Sequence, residues 1–294
     1  MNSEAIKNEE EQKLTIGITH YNDYGGATFT IQSLLLYHDL RNVEIVVIDD
    51  SPDSPDGKAL QDFCMLRPDT QNVRYIATRG SDGAAVAKNR LFVESYSDAV
   101  LCIDCHVLLD PGVIPRLAEY FESNPQCQDI LSGPMWHDSL ESFSSHLFPM
   151  WRNTMFGVWA NDPRAEDVSG DPFEIWAQGC GLFACRRDAW LFFNEHFLGV
   201  GGEEGYIQEK YRRFGRRALC LPWLRWWHRF NPPSGIANNR NTWHKVRNYI
   251  IGHKELDLPI DEIHSHFVGQ GLMSEDEWKA IVRDPISYRR FGDT

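Results

Sequence analysis

The chain has 294 residues, 42% hydrophobic and 12% aromatic, with 42 acidic against 29 basic side chains and a formal net charge of −13. That length allows one large domain or two small ones, and the composition has none of the extremes that mark disordered or collagen-like chains. The acidity argues against general affinity for nucleic acid, and seven cysteines, odd in number and thinly spread, fit reduced thiols better than a disulfide framework. No stretch approaches about 18 consecutive apolar residues, and the first dozen lack the apolar core and basic flank of a secretory signal. A cytoplasmic protein without a transmembrane segment is therefore expected.

After an acidic tail, Leu14, Ile16 and Ile18 alternate with Thr15, Gly17 and Thr19, a period of two that predicts a strand. A helix over 27–38 follows. The run VEIVVIDD (43–50) is almost continuously apolar and β-branched, as expected for a strand buried on both faces of a parallel sheet. A helix (58–66), a strand (73–76), a helix (84–95) and the strand AVLCID (99–104) continue the alternation, which predicts a doubly wound α/β sheet. Asp110 and Pro111 are placed as N-cap and first residue of a helix running to Glu122. From Ile130 the pattern loosens into long loops rich in Trp, Pro and Gly, which in a compact domain usually shape a binding site. Helical periodicity returns over 203–214, and a small helical appendage is expected after Pro232.

One segment reverses the global charge. Between Glu209 and Lys254 stand eleven Lys or Arg residues and a single acid, a local +10, with Trp223, Trp226, Trp227 and Trp243 interleaved. Such asymmetry suggests an anionic partner docking nearby, whether a phosphorylated small molecule, a membrane surface or nucleic acid. A solvated helix face accounts well enough for Arg212 to Arg217.

In open parallel sheets ligands bind beyond the carboxyl ends of the strands. Three predicted strands end there in polar groups: Thr19-His20-Tyr21-Asn22, Asp49-Asp50 and Asp104-Cys105-His106. No GxGxxG follows the first strand and no GxxxxGK[ST] occurs, so neither a nicotinamide site nor a P-loop is indicated; the cluster at 80–83 is a weak substitute. Asp104 and His106, two apart in an extended chain, point to the same side. A carboxylate plus an imidazole suits Mn²⁺ or Mg²⁺ bridging a diphosphate more than a closed zinc site. Cys102 and Cys105 spell C-x-x-C, but they face opposite ways on a strand and no second pair completes a metal set.

The series ITHYND, EIVVIDDSPD, AKNR, LCIDCH, WAQGCGLFACRRD, GVGGEEGY and WWHRF resembles the nucleotide-sugar glycosyltransferases of GT-A fold. It is closest to family 2 enzymes, with the Asp-x-His metal motif of the polypeptide N-acetylgalactosaminyltransferases. The resemblance implies a mostly parallel α/β sheet flanked by helices. It further implies a flexible tail over 1–12, a catalytic domain over 13–230 and a loop and helical extension over 231–294. Within the domain, a nucleotide-sugar half spans about 13–110 and an acceptor half about 111–230.

The resemblance also implies roles. Thr19 and Tyr21 would flank the base, Asp50 would accept a hydrogen bond from the nucleoside, and Lys88 with Asn89 would lie near the diphosphate. Asp104, His106 and His228 would hold the metal. Glu204 would be the general base of an inverting enzyme, with Glu203 binding the acceptor. Gly179 and Gly181 would floor the acceptor and sugar pocket, and Trp176 would stack on a sugar or fill the core. Glu replaces the family's usual Asp at 204, and the Asp-x-His motif occurs in retaining relatives, so the stereochemical outcome stays open. The expected reaction is metal-dependent transfer from a nucleoside-diphosphate sugar, UDP foremost, to a hydroxyl of a glycan. Alternatives are a glycosyltransferase acting on hydroxylated DNA bases, a non-catalytic nucleotide-sugar or glycan-binding module, and a nucleotidyltransferase.

Overall fold

The computed structural model describes residues 12–66, 70, 73–78, 83–229 and 241–287. Most of the acidic tail (1–11), positions 80–82 of the glycine cluster, Phe230 and Arg240 lie outside the described residues.

Four parallel strands, β1 (Leu14–His20), β2 (Val43–Asp49), β3 (Val73–Ala77) and β4 (Ala99–Asp104), alternate with α1 (Tyr24–Tyr37), α2 (Pro55–Leu66) and α3 (Ala84–Glu94). Every residue of β1 is buried, because helices cover both faces of the sheet. Leu14, Ile16 and Ile18 pack with Ile31 of α1 and Leu60 of α2. On the other face Gly17 leaves room for Leu91 of α3, whose side chain occupies the place of a Cβ. The α1 helix starts three residues earlier than the periodicity predicts because Asp23 caps it, its Oδ1 accepting from Gly26 N at 2.9 Å.

The register sets the site. Thr19 lies opposite Asp104 and His20 opposite Asp49, so the polar ends of β1, β2 and β4 reach one edge of the sheet at the same level. After β4 the chain forms β5 (Val107–Leu109) and α4 (Val113–Ser123). The expected cap at Asp110 and Pro111 does not form. Gly112 is the N-cap with φ 82°, a left-handed geometry that glycine adopts without strain, while Asp110 N donates to Arg225 O at 3.0 Å.

The loosened region beyond Ile130 holds seven short strands: β6 (Ile130–Ser132), β7 (Met135–Trp136), β8 (Phe143–Ser144), β9 (His146–Arg152), β10 (Met155–Ala160), β11 (Phe173–Glu174) and β12 (Leu182–Arg186). They are followed by α5 (Glu203–Arg213), β13 (Ala218–Cys220) and β14 (Trp226–His228). The main sheet runs β11-β13-β6-β12-β4-β1-β2-β3. It is parallel through β4-β1-β2-β3 and mixed beyond, where β12 is antiparallel to both β4 and β6. A second sheet, β5-β14-β7-β8, puts His228 opposite Val107, which carries a late strand back beside His106. β9 and β10 form a separate hairpin.

The C-terminal helices α6 (Thr242–Glu255), α7 (Asp261–Phe267) and α8 (Glu275–Arg283) enclose their own core, with Val246, Ile250, Ile263, Phe267 and Trp278 buried. They are more than an appendage, since α6 braces the approach to α5: Asn248 Nδ2 donates to Leu198 O and Gly201 O, both at 2.9 Å. No helix among the described residues is long and apolar enough to cross a membrane. All seven cysteines are unpaired, and six of them are buried.

The basic segment is largely committed within the fold. Lys210 pairs with Glu255 (2.8 Å), Arg212 with Glu209 (2.8 Å) and Arg217 with Asp129 (2.6 Å). Arg216 and Arg225 donate to the carbonyls of Ala189 and Glu166, Lys245 to Thr154 Oγ1 and Arg247 to His196 O. Charge-assisted bonds of this kind brace loops, so among the described residues the clustering in sequence does not become one continuous anion-binding face.

Candidate active site

At the first strand end, Tyr21 is exposed while Thr19 and His20 are buried. Of the two acids that end the second strand, Asp49 is fully buried and structural: its carboxylate accepts from His20 Nδ1 (2.8 Å), Ser51 N (2.8 Å) and Tyr75 OH (2.6 Å). Burial pushes Asp49 up, and these bonds hold it below the ordinary carboxylate range. Asp50 is half-buried at the open edge, with Thr78 Oγ1 at 3.4 Å from its Oδ1. Thr19, Tyr21 and Asp50 thus share one edge, as the sequence predicts.

Asp104, His106 and His228 come together, one ligand atom of each lying within 4.8 Å of the others. His228 Nε2 is 3.7 Å from Asp104 Oδ2, and the two imidazole rings meet edge to face at 4.7 Å. His106 Nδ1 is bonded to Asp23 Oδ2 at 3.0 Å, which leaves its Nε2 for a ligand. Lys88, buried on α3, pairs with Asp104 Oδ1 at 2.9 Å, so the other carboxylate oxygen faces the histidines. Burial raises Asp104, but the Lys88 ammonium together with the His228 bond and the two neighbouring imidazoles outweighs it and leaves Asp104 well below the usual range. Burial, opposed by Asp104, lowers His228. The set therefore offers a carboxylate and a neutral imidazole, the protonation states that metal binding requires.

Gly181 stands behind this group. Its carbonyl accepts from Asp104 N at 2.9 Å, and a Cβ there would lie 3.0 Å from His228 Cδ2 and 3.2 Å from Trp226 Cη2. A Cβ at Gly179 would likewise lie 2.7 Å from the Trp159 ring. Trp176 is half-buried, edge to face with Phe156 at 5.4 Å and near the Arg212 guanidinium.

The two glutamates open α5. Glu203 is buried and accepts from Gly201 N at 2.5 Å, whereas Glu204 is half-buried. Burial first, and the neighbouring Glu204 charge second, push Glu203 up to about 8. Glu204 is raised by burial against the pull of Lys88 and Lys245, and it also feels Asp104. The α5 start thus lies within electrostatic reach of Asp104 and Lys88.

Asn89 does not join them. Its Oδ1 accepts from Trp190 Nε1 (3.1 Å) and Phe193 N (2.9 Å), and its Nδ2 donates to Phe193 O (2.9 Å). Its amide is thereby engaged with the 190–193 loop. Three residues escaped the sequence reading: Asp23 behind His106, Trp159 over Gly179, and Lys245 near Glu204. Asp23 and Trp159 meet partners 83 and 20 positions away in the sequence, and only the acids beside turn residues carried a local signal.

The model of glycosyl transferase family 2 matches residues 15–190. The chain belongs to that family. It is a family 2 glycosyltransferase, and solved structures show its GT-A fold. GalNAc-T7 with UDP, GalNAc and Mn²⁺ superposes with a TM-score of 0.63 at 14% identity, over 94% of this chain and 57% of that one. The mannosyltransferase PcManGT of Pyrobaculum calidifontis with GDP-Man and Mn²⁺ gives 0.52 at 14% identity, over 94% and 69%. TarS residues 1–349 of S. aureus with UDP-GlcNAc give 0.56 at 16% identity, over 92% and 79%. The chain thus spans a little over half the length of GalNAc-T7. No curated protein sequence matches it.

A divalent metal of the kind in those complexes fits the residues present. One oxygen and two imidazole donors converge at the strand edge, Lys88 engages one Asp104 oxygen and leaves the second, and Gly181 keeps the space behind His228 clear. This mixed oxygen and nitrogen set suits Mn²⁺.

Proposed function

We propose that this glycosyltransferase moves a sugar from a nucleoside-diphosphate donor, UDP foremost, to a hydroxyl of a glycan, with Mn²⁺ or Mg²⁺ held by Asp104, His106 and His228. The observation that carries the proposal is the meeting of these three residues, from opposite ends of the domain, at the strand edge that also bears Tyr21 and Asp50. Bound there, the metal would neutralise charge growing on the departing diphosphate.

The protein groups divide the remaining work. Thr19, Tyr21 and Asp50 receive the nucleoside at the open edge, and Lys88 fixes Asp104 so that its free oxygen points into the site. Gly179 and Gly181 let the sugar approach the backbone, and Trp176 is placed to stack on a sugar face. Glu203 is tied to Gly201 N, which leaves Glu204 as the carboxylate open to an acceptor. In direct displacement the acceptor oxygen bonds to the anomeric carbon, the carbon–oxygen bond to the diphosphate breaks with its electron pair leaving on phosphate, and the hydroxyl proton passes to Glu204. A carboxylate raised above its ordinary pKa is better matched to that transfer near neutral pH.

Thermal-shift binding of UDP, GDP, CDP and TDP, each with and without Mn²⁺, tests the donor assignment, because a ligand selective for the native state raises apparent stability. Mn²⁺-dependent stabilisation by UDP is expected, and no response to any diphosphate would sink the proposal. Glu204→Gln should bind the donor normally yet lose transfer; full transfer in that variant would remove the general-base role and favour a retaining course.

A further inference from the structure

A buried carboxylate, Asp23, stands behind His106. Asp23 is 2% exposed, and both of its oxygens are engaged. Oδ1 accepts from Gly26 N at 2.9 Å and caps α1. Oδ2 meets His106 Nδ1 at 3.0 Å. The residue itself is held from behind, since its backbone N–H donates to His20 Nε2 at 3.1 Å, and His20 Nδ1 is in turn bonded to Asp49 Oδ1 at 2.8 Å. Cys105 Sγ lies 3.8 Å from Asp23 Oδ2, so Asp23, Cys105 and His106 are themselves close enough to be taken for a metal set. Against that, Oδ1 and Oδ2 already serve the helix cap and the imidazole.

A carboxylate oxygen only accepts, so a bond between Asp23 Oδ2 and His106 Nδ1 requires the proton on Nδ1. The neutral ring then presents an unprotonated Nε2, the nitrogen left to face Asp104 and His228. We propose that Asp23 is a positioning residue that fixes His106 in its Nδ1–H tautomer and aims Nε2 at the metal. This rests on the metal reading given above. The His20 ring supports it by fixing the Asp23 backbone, which makes the first strand end, with no metal ligand of its own, part of the metal site.

Asp23→Asn separates this role from the cap. An asparagine keeps an acceptor oxygen for Gly26 N, but the amide nitrogen in the Oδ2 position donates toward His106 Nδ1, which then accepts and carries its proton on Nε2. That proton blocks coordination. Two measurements on the full chain read the effect: binding of Mn²⁺ alone, by paramagnetic resonance of the free ion, and the ¹⁵N shifts of His106 in metal-free protein. Asp23→Asn should weaken Mn²⁺ about 10- to 100-fold, the usual range for an outer-shell partner, with little change in metal-free Tm. The His106 spectrum should change from the Nδ1–H to the Nε2–H tautomer. Asp23→Ala removes the cap as well and should lower both Mn²⁺ affinity and Tm. Wild-type affinity in Asp23→Asn, or an Nε2–H ring in the wild-type protein, overturns the inference alone. Wild-type protein that binds no Mn²⁺ overturns the metal reading and this inference with it.

Discussion

The parallel and mixed halves of the main sheet face the same site but are built from different materials. On the parallel side, β1, β2 and β4 end level with one another, and the polar groups there are locked by short buried bonds: His20 to Asp49 at 2.8 Å and Lys88 to Asp104 at 2.9 Å. On the mixed side there is little regular strand. The site wall is made of glycines under aromatic rings, Gly179 beneath Trp159 and Gly181 against His228 and Trp226, and of a helix start held by α6 through Asn248. The first half supplies fixed charge and the second supplies shaped space. The candidate metal cluster ties the parallel half to the second sheet, with Asp104 on β4 and His228 on β14.

The sharpest way to break that comparison is Asp104→Ala, which removes the parallel half's side of that contact. Mn²⁺-dependent stabilisation by diphosphates should vanish. Lys88, nearly buried, would be left without its carboxylate, while Asp104 itself is 27% exposed. Loss of about 3 kcal/mol of folding stability is therefore expected, the low end for breaking a buried pair. Denaturant melts of Asp104→Ala and of Lys88→Met/Asp104→Ala measure this: the double variant should regain stability without regaining metal binding. Mn²⁺-dependent stabilisation that persists in Asp104→Ala would take Asp104 out of the metal site.

A second test asks whether the parallel half also contains plain scaffold. Asn89 stands beside Lys88 yet spends its amide on Trp190 and Phe193. Asn89→Ala should cost about 1–3 kcal/mol through lost bonds and unpaired backbone groups, with Mn²⁺ and diphosphate affinities unchanged. A specific loss of diphosphate binding at unchanged Tm would return Asn89 to the donor side.

The same contrast explains what could be read from the chain. Buried parallel strands carry strong apolar patterns, an alternation in β1 and nearly unbroken runs in β2 and β4, so all three were legible to within a residue; Asp104 and His106 do come together, but across the turn between β4 and β5 rather than along an extended strand. Neighbouring residues on α3 carry no such mark, and Lys88 and Asn89 looked alike until their partners were known. The mixed half was hidden because its strands are two to five residues long and pair across large gaps, as Phe173 does with Cys220. His228 came from family resemblance; nothing in WWHRF announces the pairing with Val107 that brings it to His106. The basic run misled because side-chain partners such as Asp129 and Glu255, which neutralise it, lie elsewhere in the sequence or beyond its edge.

The smallest expected effect tests whether the shaped half sets metal geometry as well as substrate fit. A methyl group at Gly181 would meet His228 Cδ2 at 3.0 Å, and the ring cannot retreat freely, because Trp226 Cη2 stands 3.2 Å from the same point. A few tenths of an ångström must be absorbed by the imidazole. Gly181→Ala should therefore lower stability by only about 1 kcal/mol, as mild overpacking does. Mn²⁺ affinity should fall by about tenfold or less, since a ligand ring displaced by its support binds less well. Calorimetric titration of Mn²⁺ beside a denaturant melt separates the two effects. Unchanged affinity would show that His228 yields without loss, and that the glycine floor serves the sugar alone.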